Sequence, residues 1–167
     1  MDYSRILSRT IQEVKPSGIR KFFDLAAEME NVISLGVGEP DFKTPWPVRR
    51  AGIRSLEEGR TWYTANAGLK ELKIEISRYL KRRFELEYSP DDEMFVTVGG
   101  SEAIDMCIRT LVNPGDEVMV VQPSFVCYGP IAQMSQAKVV PIATKAENGF
   151  SLTAQELREA ITPKSKL

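Results

Sequence analysis

Ile19, Phe22, Phe23, Ala26 and Met29 recur at three- and four-residue intervals after Pro16-Ser17-Gly18. That spacing predicts an amphipathic helix ending near Asn31. The apolar run Val32-Ile33-Ser34-Leu35 predicts a short strand, which leads into Gly36-Val37-Gly38-Glu39-Pro40-Asp41-Phe42. Two glycines and a proline break regular structure there, and Thr44-Pro45-Trp46-Pro47 prolongs the break. The first domain junction is placed here, with residues 1–45 on one side and 46–167 on the other.

Pro47 suits the first position of a helix, with Val48, Ala51 and Leu56 on its inner face and Gly59 closing it. Residues 61–68 are predicted as a loop. Leu69, Leu72, Ile76, Tyr79 and Leu80 mark a second strong helix, which places Lys70, Glu71, Lys73, Glu75, Arg78, Lys81 and Arg82 on its solvent side. The mixed signs of that run make it a solvated face rather than a binding patch.

From Ser89 onward strand and helix patterns alternate. Residues 94–98 read as a buried strand, and 101–112 as a helix with Ile104, Ile108 and Leu111 inward. Asn113-Pro114-Gly115-Asp116 reads as a turn, 118–121 as a strand, 125–136 as a helix and 138–142 as a third strand. Thr153-Ala154-Gln155-Glu156 has capping-box form and opens a last helix carrying Leu157 and Ile161. This alternation predicts an α/β fold with a mainly parallel sheet and right-handed crossovers.

Composition narrows the chemistry. In 167 residues, 22 Lys and Arg stand against 23 Asp and Glu, with 43% hydrophobic and 27% charged residues. A net charge of -1 argues against a general nucleic-acid binder or a basic membrane-surface protein. The absence of histidine removes imidazole bases, Ser-His-Asp and Cys-His nucleophile systems and His-bearing zinc sites. Two cysteines, Cys107 and Cys127, are too far apart for C-x-x-C and too few for a disulfide framework, so a cytoplasmic setting is expected. No signal peptide is expected at the start, and no run approaches the ~20 apolar residues of a membrane span.

The most informative junction is Thr97-Val98-Gly99-Gly100-Ser101-Glu102-Ala103, a predicted strand followed at once by two glycines and a helix start. Glycines let a backbone approach a ligand, and the first free helix amides favour a phosphate. A tight strand-to-helix turn with Ser101 as an ordinary N-cap explains the same residues. No G-x-G-x-x-G follows a strand and no Gly-Lys-Ser/Thr occurs, which disfavours dinucleotide and P-loop enzymes. Around Gly36-x-Gly38, Pro40 and Asp41 stand where a dinucleotide-binding helix would begin. A kinked loop and a small-molecule site lined by the Gly38 backbone both remain open.

Together the segments Ile33-Ser34-Leu35-Gly36-Val37-Gly38-Glu39-Pro40-Asp41-Phe42, Tyr63 with Asn66-Ala67-Gly68-Leu69, Val96-Thr97-Val98-Gly99-Gly100-Ser101-Glu102-Ala103, Asn113-Pro114-Gly115-Asp116-Glu117-Val118 and Pro123-Ser124-Phe125 resemble the class I/II, fold-type I pyridoxal-phosphate aminotransferases, the aspartate and aromatic aminotransferase-like group. The resemblance implies a three-layer α/β/α large domain, incomplete here, with residues 1–45 as N-terminal arm and small-domain segment and 46–167 as the start of the cofactor-binding domain. It implies that Gly100, Ser101 and the Glu102 amide cradle the phosphate of pyridoxal 5′-phosphate. Phe125 would stack on the pyridine ring, and Tyr63 would reach the phosphate of a neighbouring subunit in a homodimer. The Gly38 backbone would face the substrate carboxylate, and Ile19 would lie in a segment closing over the substrate. Glu102 departs from an ideal anion site by placing a carboxylate nearby, and its side chain is expected to turn away.

Transaminase chemistry also needs a lysine amine bonded to the cofactor, an acidic partner for the pyridine nitrogen and an arginine for the substrate carboxylate. The resemblance places all three downstream of Leu167, so no catalytic residue and no metal ligand is expected in this chain. The parent protein would transfer an amino group between an L-amino acid and a 2-oxo acid, and the chain alone would be inactive. Residues 94–98 would then lack their neighbouring strands. A pyridoxal-phosphate lyase on the same scaffold and a stand-alone α/β binding or dimerisation module are the alternatives.

Overall fold

The computed structural model describes residue 3, residues 5–33, residue 38 and residues 40–167. Within these lie helices α1 (Arg9–Glu13), α2 (Ile19–Glu28), α3 (Trp46–Glu57), α4 (Lys70–Phe84) and α5 (Gly100–Leu111), then strand β1 (Glu117–Gln122), helix α6 (Tyr128–Met134), strand β2 (Lys138–Ala143) and helix α7 (Ala154–Ala160). They divide into two compact units, one spanning Gly18–Val96 and the other combining Met1–Ser17 with Thr97–Leu167.

In the Gly18–Val96 unit the helices begin and end where local chemistry directs. Pro47 sits in the first turn of α3, where its missing N–H costs nothing. The basic residues Lys81, Arg82 and Arg83 in the last turn of α4 complement the negative end of the helix dipole. Glu85 then closes α4 in a left-handed conformation, its amide donating to the Leu80 and Lys81 carbonyls. The charged face is laced by Arg78 and Glu75 at 2.6 Å and by Lys70 and Asp91 at 3.0 Å. Lys81 and Glu87, 2.7 Å apart, hold one another charged: the hydrogen bond and the opposite charge raise the lysine and lower the carboxyl. Lys73 departs from the solvated face predicted for it and is only 6% exposed.

No hydrophobic side chain of this unit is buried among the described residues. Val48 and Leu56, expected on the inner face of α3, are exposed, because no described element of their own unit covers that face. The strand predicted from Val32 runs into residues 34 and 35, which lie outside the described residues.

Residues 94–98 do not form the predicted strand. A strand requires a neighbour to satisfy its alternating amides and carbonyls, and this segment has no ladder partner among the described residues. The Val96 amide instead donates to the Ala67 carbonyl at 3.1 Å, and Val98 is 92% exposed.

The second unit holds the core. Strands β1 and β2 run parallel, with Glu117 opposite Lys138 and Gln122 opposite Ala143. Ile108 from α5 and Val112 just after it, Val118 and Val120 from β1, and Ile131 and Ala132 from α6 bury together with Ala137. The predicted inward positions of α5 hold for Ile108, at 5% exposure, and for Ile104, packed against the same cluster. Leu111 is 47% exposed, and Val112, one position on, takes the buried place.

Helix α6 starts three residues later than the sequence suggests, which leaves Phe125 on the preceding loop. Pro130 then occupies the first turn, where the orphan amide positions tolerate it. The capping box is present as predicted, with the Glu156 amide donating to Thr153 Oγ1 at 3.2 Å and the Thr153 amide to Glu156 Oε2 at 2.9 Å.

On the edge of β1 away from β2, the chain from Lys164 to Leu167 runs parallel to the strand. The Glu117 amide donates to the Lys164 carbonyl at 2.8 Å, the Lys166 amide to the Glu117 carbonyl at 2.9 Å and the Met119 amide to the Leu167 carbonyl at 2.8 Å. The Glu117 carboxylate, buried at this crossing, accepts from Lys138 Nζ at 2.8 Å and from Thr162 Oγ1 at 2.6 Å. The Lys138 bond foremost, then the Thr162 bond, hold its carboxyl below the ordinary range.

Candidate active site

Gly99 adopts φ 82° and ψ 168°, a conformation open essentially to glycine. It turns the chain from residues 94–98 directly into α5, whose first residue is Gly100. The opening amides of a helix have no intrahelical acceptor, and no side chain caps those of α5. A Cβ placed on Gly100 would meet no described atom within 4 Å, so the space beside the first residue of the helix is open. Ser101 is exposed in the same turn and adds a hydroxyl. Oriented amides at the positive end of a twelve-residue helix suit an anion, phosphate above all.

Glu102 does turn its carboxylate away from these amides, accepting the Val98 amide on the preceding segment. Thr97 Oγ1 donates to the Gly99 carbonyl at 2.9 Å. Both hydrogen bonds span the glycine turn.

The same unit contains Phe125. Its ring is more than half exposed and meets Tyr128 edge to face, with centroids 5.9 Å apart and planes at 82°. Phe125 borders a recess of about 580 Å³ at the carboxyl ends of β1 and β2, lined also by Gln122, Pro123 and Thr144. The carboxyl ends of parallel strands are the usual ligand side of an open α/β sheet. A neighbouring apolar groove of about 450 Å³ is lined by Ala103 as well as by Ser124 and Tyr128. It therefore links the residue after the α5 cradle to the loop that carries Phe125.

The remaining candidates belong to the other unit. Tyr63 is fully exposed on the loop before α4. Gly38 is open on its Cβ side, and Ile19 is the first residue of α2. Gly36 and Val37 lie outside the described residues. Among the described residues no cluster of three or more His, Cys, Asp or Glu could hold a metal ion, and no helix is long and apolar enough to cross a membrane.

Sequence reasoning missed two features near the site and one at the opposite end of β1. The helical spacing makes Tyr128 one more helix residue, although its position three after Phe125 is a usable signal. Thr97 gave no sign of spanning the turn. Glu117 was excluded from the strand that it opens.

The profile of the family described as aminotransferase class I and II matches residues 30–167. The chain belongs to this family. The Bacillus subtilis protein YugH, whose name assigns it to the aminotransferases without giving a substrate, is 58% identical over 96% of this chain and 42% of its own length. An aspartate aminotransferase of Pyrococcus abyssi is 40% identical over 96% of this chain and 41% of its own length. Among solved structures, the Thermus thermophilus aspartate aminotransferase with maleate superposes with a TM-score of 0.88 at 36% identity, covering 96% of this chain and 43% of that one. The chain thus spans about two fifths of the length of the aminotransferases it matches, and its α/β architecture is the corresponding part of theirs.

Class I and II aminotransferases use pyridoxal phosphate. The residues present fit that group: the uncapped opening amides of α5 and the open space beside Gly100 suit its phosphate, and the more than half exposed ring of Phe125 suits a flat partner.

Proposed function

We propose that this chain forms the N-terminal part of an aminotransferase that moves an amino group between an L-amino acid and a 2-oxo acid with pyridoxal 5′-phosphate. The family match over residues 30–167 carries this reading. When bound, the cofactor supplies the electron sink for amino-group exchange.

The amides of Gly100, Ser101 and Glu102, with the Ser101 hydroxyl, hold the phosphate. Phe125 covers one face of the pyridine ring, fixing its plane and excluding water. Tyr63 extends its hydroxyl toward the phosphate of a neighbouring subunit, which makes the working enzyme a homodimer, and the exposure of its ring supports that role. The Gly38 backbone faces the substrate carboxylate, and the segment containing Ile19 closes over the substrate. Residues 1–45 serve as arm and small-domain segment, and 46–167 open the large domain. The lysine that bears the cofactor lies beyond Leu167, and the enzyme works in the cytoplasm.

The test is to incubate the complete protein with pyridoxal phosphate, a panel of L-amino acids and a 2-oxo acid acceptor, and to identify the products. The expected products are the 2-oxo acid of the donor and the amino acid of the acceptor, with none formed by residues 1–167 alone. Elimination products without amino transfer, or turnover by the 167-residue chain itself, would refute the reading.

A further inference from the structure

The side chain with the most specific unassigned arrangement is that of Glu102. A carboxylate in the first turn of a helix is itself attracted to the opening amides, and there it would compete with a bound phosphate. In this chain it reaches past the turn to the Val98 amide instead. Val98 immediately precedes Gly99, the positive-φ residue of the segment and the one whose conformation aims α5. The Thr97 Oγ1 bond to the Gly99 carbonyl spans the same residue from the other side.

We propose that Glu102 is a positioning residue for the anion cradle. By engaging Val98, its carboxylate fixes the Gly99 turn and leaves the amides of residues 100–102 for the phosphate. This assignment rests on the reading that the start of α5 holds the cofactor phosphate. The carboxylate acts through Val98 and touches no part of the cofactor. An acceptor oxygen at that reach is the essential property, and the negative charge is dispensable. Glutamine keeps the oxygen and the reach, aspartate loses the reach, and alanine loses both.

The test measures binding of pyridoxal phosphate and of pyridoxal, which lacks the phosphate, to the complete protein and its Glu102→Gln, Glu102→Asp and Glu102→Ala variants. The ratio of the two Kd values reports the phosphate contribution alone, and a loss of general stability does not select between the two ligands. Glu102→Ala and Glu102→Asp are expected to lower that ratio about tenfold, the scale of one hydrogen bond to a charged group, with pyridoxal affinity unchanged. Glu102→Gln should keep the ratio within about threefold of the parent or raise it, since a like charge near the phosphate is gone. If Glu102→Ala does not fold, the Asp and Gln pair decides. A parent protein that binds both ligands equally overturns the phosphate cradle and this assignment with it. A parent that discriminates while Glu102→Asp discriminates equally leaves the cradle standing and overturns the role of Glu102.

Discussion

Gly68 lies so close to Val96 that a Cβ on the glycine would stand 2.7 Å from the Val96 Cβ and 2.8 Å from its Cγ2. Its φ of +97° adds a backbone reason for glycine at the same place. The Ala67 carbonyl accepts the Val96 amide one residue away, so the contact is pinned from both sides. Gly68→Ala should therefore destabilise the protein by about 1–3 kcal/mol, from overpacking and an unfavourable φ. Urea unfolding measures it.

Gly52 gives the opposite expectation. It sits within α3, and a Cβ there meets nothing within 4 Å. Gly52→Ala should stabilise by about 0.5–1 kcal/mol, because alanine loses less backbone entropy in a helix. A rise in urea midpoint with unchanged slope is the expected result.

Gly100 separates fold from cofactor. Space beside it is open within this chain, so valine there should disturb the local packing little while filling the approach to the helix amides. Gly100→Val in the complete protein should weaken pyridoxal phosphate retention by more than tenfold, read by absorbance after gel filtration. Unchanged retention would remove Gly100 from the site.

Ile108 and Leu111 lie on one helix with different surroundings. Ile108→Ala should cost about 2–5 kcal/mol, since its side chain is enclosed by the β1 and α6 cluster. Leu111→Ala, at an exposed position, should cost less than half as much. Equal losses would mean that Leu111 is covered in the protein as tested.

Glu117 predicts an acid limb. Its carboxyl is held below the ordinary value of 4.5 by Lys138 and then Thr162. The lowered value means that the folded state favours the ionised form. The resulting stability is fully present above the ordinary value and is lost as pH falls through the depressed folded value. Glu117→Gln should lower stability at pH 7 and flatten its decline below about pH 4.5, as measured by urea midpoints across that range. An unchanged acid slope would assign the decline to other carboxylates.

The second unit was more legible than the first because its determinants are local. The spacing of Ile104 and Ile108, the apolar runs around Val118 and Val139 and the Thr153 capping box each act over a few residues, and each appears where expected. The strand predicted at 94–98 does not form among the described residues, because its apolar run reports burial whereas a strand also needs a partner, and the family resemblance already implied that its partners are missing here. Helical spacing and charge place Lys73 on the solvent side, but neither carries information about its surroundings, and the residue is buried. Of the site, the glycine turn and the start of α5 could be read directly, since conformation and helix polarity are encoded there. The edge contact of Tyr128 with Phe125 and the reach of Glu102 to Val98 depend on rotamers that composition does not specify.

The hydrogen bonds from Glu117 and Met119 to Lys164 and Leu167 also set a heading. Because that pairing is parallel, the backbone at Leu167 travels in the same sense as β1, toward the rim that carries Gln122, Pro123 and Phe125. Leu167 itself lines the apolar groove that Ala103 and Tyr128 also border. A change of that side chain is accordingly felt at the wall of the candidate pocket, not only along the strand edge.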